Sequence, residues 1–214
     1  MALSAQTPAS RPATLKDFLA IPAYDRFHEI LEGQLVRKTM PSGRHALVQG
    51  RLRELLGGYD DGSPRRQPGG WWLMTEAEIM LPWEQPVRPD LTGWRCERMP
   101  EVPDEFPIRL LPDWACEVVS PNDRRRDTVV KYRDYARAGI PYYWLVDLKQ
   151  RSLTALQLKD GHYVVQAEAH EGRPLQVEPF ALVEIAVEVL FRGVPPDKDP
   201  APKEPEPPRA DKPR

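Results

Sequence analysis

Two carboxylates next to apolar stretches are the residues of this sequence whose chemistry stands out. Glu117 lies inside an apolar run, residues 114–119, where a charged group is unfavourable unless another group pairs with it. Asp90 follows Pro89 at the end of a second, alternating apolar stretch. Two acids at the ends of neighbouring strands repel each other unless a cation lies between them. Mg²⁺ is commonly held by one or two carboxylates with water and phosphate oxygens, so the pair predicts a divalent metal site.

Glu117 taken alone has a plainer interpretation. A single acid near the end of a strand is typical of a carboxylate that pairs with an arginine or caps the following helix. Asp90 favours the metal-site interpretation instead, because a proline before an acid fixes the backbone and directs the carboxylate toward a sheet edge.

Lys131 is the candidate cation for negative charge that develops on a phosphate. It lies in a predicted helix, beside an apolar stripe formed by Val129, Tyr132 and Ala136, and its long side chain can reach back over the sheet edge. An ordinary surface pair with Asp127, four residues earlier, explains the same spacing equally well.

The elements around these residues predict a mixed central sheet flanked by helices, an α/β (α+β) fold. A buried strand at 114–119, a helix at 127–138 that stops at Gly139, and a second buried strand at 142–147 form a strand–helix–strand crossover. The other predicted elements are a helix at 14–20, a hairpin at 27–38, a helix at 43–56, strands at 71–81 and 87–94, a hairpin at 153–167 and a strand at 182–191.

Composition limits the class of protein. Of the 214 residues, 41% are hydrophobic, which is enough for one domain with a substantial core. No apolar run is long enough to span a membrane, and the N-terminus lacks the apolar core of a signal peptide. Two cysteines without a CxxC pair favour a reducing cytoplasm and argue against structural zinc. A net charge of −2 excludes a generally basic nucleic-acid coat but allows local arginine patches.

Three regions follow from these patterns. Residues 1–13 and the Pro-rich, charged residues 193–214 lack apolar periodicity and are predicted to be disordered, whereas residues 14–192 form the domain.

A family resemblance rests on motifs spread over most of the domain. Pro89-Asp90-Leu91, the run Glu117-Val118-Val119-Ser120-Pro121, and the block from Lys131-Tyr132 through Gly139-Ile140-Pro141 to Asp147 resemble the Uma2 family. The hairpin Glu29…Glu32-Gly33 and the helix start Pro41…His45 resemble its N-terminal part. Uma2 is a family of proposed bacterial endonucleases, formerly a domain of unknown function, within the PD-(D/E)XK nuclease superfamily. The likeness covers about residues 15–191.

The resemblance implies an αβββαβ nuclease core with extra N-terminal and C-terminal β-hairpins. It implies that Asp90 and Glu117 bind Mg²⁺ or Mn²⁺, with the main-chain carbonyl of Val118 as an additional ligand. DNA would be the substrate and a homodimer the expected assembly. Val119 stands where the superfamily has its lysine, and the resemblance implies that Lys131 on the following helix replaces it.

Two further residues are candidates with open alternatives. His45 can transfer a proton or bind a phosphate, or it can be a surface or capping histidine. Glu29 can be a further acid near the metal, or an exposed hairpin glutamate. The alternative for the whole protein is a catalytically degenerate nuclease fold that binds nucleic acid or protein, which Val119 and the near-neutral charge favour.

Overall fold

The computed structural model of the protein describes residues 11–60, 69–120 and 123–195. Most of the two segments predicted to be disordered, residues 1–10 and 196–214, lies outside these ranges. Within them, no helix is long and apolar enough to cross a membrane. Val194 is buried against the core, so the packed chain extends past Arg192.

A six-stranded mixed sheet is the centre of the fold, in the order β10-β9-β8-β7-β6-β3. Its strands are β3 (Trp71–Thr75), β6 (Leu91–Arg95), β7 (Trp114–Val119), β8 (Tyr142–Asp147), β9 (Ser152–Lys159) and β10 (His162–His170). Only β7 and β8 run parallel, and every other neighbouring pair is antiparallel. This parallel pair is joined by a helical crossover, as parallel neighbours require.

Short hairpins surround the sheet. They are β1 (His28–Leu31) with β2 (Gln34–Arg37), β4 (Ile79–Leu81) with β5 (Gln85–Val87), and β11 (Pro174–Leu175) with β12 (Ile185–Ala186). The predicted N-terminal hairpin is therefore confirmed as a separate two-stranded sheet, whereas the predicted C-terminal hairpin, β9 with β10, extends the central sheet.

Helices cover both faces of the sheet. They are α1 (Leu15–Leu19), α2 (Gly43–Leu55), α3 (Tyr132–Ala138), which continues directly from a π-helical turn at Arg126–Lys131, and α4 (Val187–Phe191). Residues of α2 and α4 pack with Trp114, Cys116 and Val118 on one face. The α3 side packs on the other face, with Ala115 and Tyr143. The order α2-β3-β6-β7-α3-β8 is the predicted αβββαβ core, which is confirmed.

Strand alternation places Glu117 toward α3. Along β7 the side chains of Trp114, Cys116 and Val118 face α2, so Glu117 faces α3. Asp90 immediately precedes β6, and the antiparallel register, with Leu91 opposite Cys116, places it beside Glu117.

Four sequence predictions about these elements are wrong. The predicted strand 71–81 is divided into β3 and β4, and the predicted strand 87–94 into β5 and β6, with β4 and β5 in a sheet of their own. The stretch 182–191 is not a strand, because its apolar residues form a short bridge and then the helix α4. Asp90 immediately precedes β6 instead of ending a strand. Val129 is half exposed and lies outside the apolar face of the crossover helix, whose buried apolar residues include Val130 and Tyr135. The π-helical turn explains this last difference, since it holds more residues per turn than the regular spacing assumes.

Candidate active site

Asp90 and Glu117 come together where β6 begins beside the second half of β7. These strands are antiparallel, with Leu91 opposite Cys116, so the residue before Leu91 lies beside the residues that follow Cys116. The Val118 main-chain N–H donates to Asp90 Oδ2 over 2.7 Å. In a strand the N–H and C=O of one residue point to the same side, so the Val118 carbonyl also faces Asp90.

Lys131 binds both Glu117 and Glu29 beneath this junction. Its Nζ lies 2.9 Å from Glu117 Oε1 and 2.8 Å from Glu29 Oε1, and its side chain is completely buried. The Tyr135 hydroxyl donates to Glu117 Oε1 over 3.0 Å. Asp127, the alternative partner four residues earlier, pairs with Arg126 over 3.2 Å. The Lys131 side chain therefore points toward the acids, as the resemblance implied.

Asp90 has three partners of its own. Its Oδ1 lies 2.7 Å from Lys38 Nζ, and its Oδ2 lies 2.9 Å from His45 Nε2 and accepts the Val118 N–H. Lys38 Nζ also donates to Glu76 Oε2 over 2.6 Å and to the Arg88 carbonyl over 2.9 Å. Both oxygens of Asp90 are thus already bound by positive or donor groups.

The electrostatics push the two acids in opposite directions. Burial alone would raise the pKa of Asp90, but Lys38 and His45 outweigh it and hold that pKa well below its usual range. Burial raises the pKa of Glu117 well above its usual range, Lys131 opposes the rise, and the negative charge of Asp90 adds to it. Two neighbouring acids with opposed pKa shifts are typical of functional sites.

A cleft of about 360 Å³ opens beside Asp90. Lys38, His45 and Asp90 lie along it, together with Arg44 and Arg126. Its lining mixes cationic and acidic groups: Arg126 pairs with Asp123 over 3.1 Å, and Lys38 pairs with Asp90. Other hollows in the described chain are larger: one lies among loop residues 98–110, and another reaches Glu76 and Arg88 at the edge of the cluster.

Comparison with known proteins identifies the family of this chain and a similar fold. A sequence model of Uma2, described as "Putative restriction endonuclease", matches residues 15–189. The chain belongs to the Uma2 family. No curated protein matches it. The fold resembles the crystal structure of a "putative nuclease belonging to DUF820" from Anabaena variabilis ATCC 29413, with a TM-score of 0.68 and 20% identity over 85% of this chain and 98% of that one.

The two weaker candidates of this Uma2 protein are both buried at the site. Glu29 is fully buried, and its Oε1 accepts the Arg88 N–H over 2.8 Å in addition to the Lys131 ammonium. Lys131 and Lys38 outweigh the effect of burial and lower the pKa of Glu29. His45, in the first turn of α2, contacts Asp90 directly. The exposed alternatives for both residues are therefore wrong.

Lys38 and Glu76 are the members of the cluster that the sequence did not reveal. Lys38 follows an exposed strand and looks like one more surface cation, and Glu76 lies in a turn. Nothing in their local pattern indicates that they meet, because 38 residues separate them. The structure does show a left-handed backbone at Glu76, with φ of 54°, and such strain often accompanies functional sites.

The donor set suits a divalent metal that keeps much of its own hydration. Glu117 Oε2 and Glu29 Oε2 are buried oxygens without a hydrogen-bond partner. Among the described residues, no group of three or more His, Cys, Asp or Glu is arranged to enclose a metal. Mg²⁺ does not need such an enclosure, since one or two carboxylates with water and phosphate oxygens suffice. The residues therefore fit an open magnesium site and not a closed one.

Proposed function

We propose that this Uma2 protein is a metal-dependent endonuclease that hydrolyses phosphodiester bonds in DNA. The observation that carries the proposal is the meeting of Asp90, just before β6, with the Glu117-Val118 segment of β7, beside a cleft with basic side chains. The family match and the nuclease-like fold support the same reaction class. The proposal includes a homodimer, on the ground of the family resemblance. It also includes a cytoplasmic location, because Cys96 and Cys116 are free cysteines.

Asp90 and Glu117 would hold Mg²⁺, with the Val118 carbonyl as a further ligand. When bound, the ion polarises a phosphate oxygen and lowers the pKa of a water molecule. His45 and the Val118 N–H hold Asp90 in a single orientation. Lys131 and Tyr135 do the same for Glu117, so that its second oxygen stays unpaired. Holding ligands in place in advance is the main contribution of such surrounding groups.

The rest of the cleft supports phosphate binding. Arg44 and Arg126 lie along it, and arginine matches the geometry of phosphate oxygens. Because such contacts release counterions from the nucleic acid, DNA affinity should fall as salt rises. A near-neutral protein with a local basic cleft can bind DNA in this way.

Calorimetric titration of Mn²⁺ into the wild type and Asp90→Ala tests the proposal. We expect one site in the wild type and none in the variant. Asp113→Asn is a matched control, because Asp113 is a buried acid that pairs with Arg98 at the other end of β7. A wild type without a site, or an Asp90→Ala variant that binds Mn²⁺ as well as the control, contradicts the proposal.

A binding module without catalysis is the second candidate. The specific observation in its favour is that Lys38 and Lys131 already neutralise the acids, and that Val119, at the usual lysine position, is buried. Salt-dependent DNA binding without Mn²⁺ binding or cleavage would establish this candidate instead.

A further inference from the structure

Two buried lysines share the site, and they differ in their access to the cleft. Lys131 and Glu117 have completely buried side chains and do not line the cleft. Lys38 lines the cleft together with Asp90, and its ammonium is 2.7 Å from the Asp90 carboxylate. The Arg88 carbonyl lies between them, 2.9 Å from Lys38 Nζ and 3.4 Å from Lys131 Nζ. A phosphate in the cleft can therefore be reached by one of these two ammoniums and not by the other.

Lys38 also occupies an oxygen of the proposed metal ligand. Asp90 Oδ2 is held by a main-chain N–H and by His45, which is fixed in the first turn of α2. Among the described residues, the partner of Asp90 Oδ1 is Lys38, an ammonium on a long flexible stem. An ammonium and a divalent cation cannot share that oxygen closely, because their charges repel. Lys38 is therefore the partner that can leave Asp90 when a metal ion binds, and its ammonium can move into the cleft that it lines.

The surroundings of Lys38 suit an ammonium that exchanges partners. Its other carboxylate, Glu76, has a side chain that is 29% exposed, so this pair is less enclosed than the pair of Lys131 with Glu29. Glu76 keeps its position through strained backbone and through the Glu76 N–H, which donates to the Asp90 carbonyl over 3.1 Å. Gln49 donates to the same carbonyl over 2.7 Å, which fixes the backbone of Asp90 while its carboxylate changes partner.

We propose that Lys38, and not Lys131, is the catalytic lysine: its ammonium contacts the scissile phosphate in the cleft, while Lys131 is a positioning residue for Glu117 and Glu29. The inference rests on the proposed function and assigns the residue that stabilises negative charge during the reaction. In the hydrolysis, a water molecule loses one proton to solvent as its oxygen bonds to phosphorus, the bond from phosphorus to the leaving sugar oxygen breaks, and that oxygen takes up a proton from solvent. Lys38 keeps its own proton throughout and acts through its charge.

The test compares Lys38→Met with Lys38→Arg at saturating metal. For Lys38→Met we expect Mn²⁺ to bind about tenfold more tightly or better by calorimetry, because a competing charge is gone. We expect the cleavage rate of a DNA duplex with Mg²⁺ to fall about 10²–10³-fold, the loss typical of one transition-state donor. Lys38→Arg, which keeps a cation in the cleft, should retain more of the rate than Lys38→Met.

Opposite effects on metal affinity and on rate separate this role from a structural one. A Lys38→Met variant that cleaves within threefold of the wild type overturns the inference, even if its Mn²⁺ affinity rises. A variant that loses both metal binding and its circular dichroism spectrum shows a structural role and overturns it too. If the wild type itself neither binds Mn²⁺ nor cleaves, the proposed function fails and the inference fails with it, an outcome distinct from the other two.

Discussion

Replacement of Lys131 by methionine should strongly destabilise the protein. Methionine has nearly the length of lysine, so the change removes the charge while it keeps most of the volume. The lost ammonium lies 2.8 Å from Glu29 and 2.9 Å from Glu117, and all three side chains are buried. Removal of one partner from a buried ion pair typically costs about 3–5 kcal/mol. Because one ammonium serves two carboxylates here, we expect a loss in the upper half of that range.

The assay is urea unfolding followed by tryptophan fluorescence at neutral pH. Lys131→Met should lower the free energy of unfolding by about 4–5 kcal/mol, a large share of a typical domain's stability. The double variant Glu117→Gln/Lys131→Met should recover about 2 kcal/mol or more, because one of the stranded charges is gone. Lys159→Met, at an exposed position, should change stability by less than about 0.5 kcal/mol.

The pH dependence of Lys131→Met gives an independent check. Without the ammonium, nothing from Lys131 opposes the effect of burial, so the pKa of Glu117 in the folded state rises further above its value in the unfolded state. The folded state then binds more protons, so stability should rise as pH falls from 8 to 5. A loss below about 1 kcal/mol at pH 7, or a double variant no more stable than Lys131→Met, would refute the buried triad.

Three further predictions concern single positions. Gly93→Ala should cost about 1–3 kcal/mol in urea unfolding, because an added Cβ lies 3.0 Å from Leu73 Cδ2; no loss would contradict this packing. Burial raises the pKa of Asp127 to about 6, so the loss of its proton destabilises the folded state as pH rises from about 4 to 6. Asparagine does not titrate, so over that range the free energy of unfolding of Asp127→Asn should increase by up to about 2–3 kcal/mol relative to the wild type. An unchanged difference would contradict it. Burial also raises the pKa of the Cys116 thiol, which should react with a thiol reagent only on unfolding; fast native reaction would disprove the burial.

The sequence was sufficient for the core and for the principal acids because their signals are local. A few neighbouring residues are enough to recognise an apolar strand, the helix stop at Gly139 or an acid inside a buried strand. The crossover from β7 to β8 and the position of Glu117 therefore agree with prediction. Asp90 lies beside Glu117, although it precedes β6 instead of ending a strand.

The remaining features depend on contacts that no local pattern records. Lys38 and Asp90 are 52 residues apart, and their pairing follows from how the β1–β2 hairpin packs beside β5. The π-helical turn that ends at Lys131 shifts the buried face of the helix, and a regular helical period cannot anticipate it. Glu29 shows the same limit: its alternation in a short hairpin is compatible with either exposure or burial, and only the tertiary contact with Lys131 decides.

Cleavage of supercoiled plasmid DNA is the most direct test of the central claim. The wild type with Mg²⁺ should convert the plasmid to nicked and linear forms, and EDTA should abolish the conversion. Asp90→Ala and Glu117→Gln should each be inactive in the same preparation, while the control Asp113→Asn should cleave at the wild-type rate. Cleavage that persists in Asp90→Ala, or a folded wild type that binds Mn²⁺ and DNA without cleaving, would contradict the account.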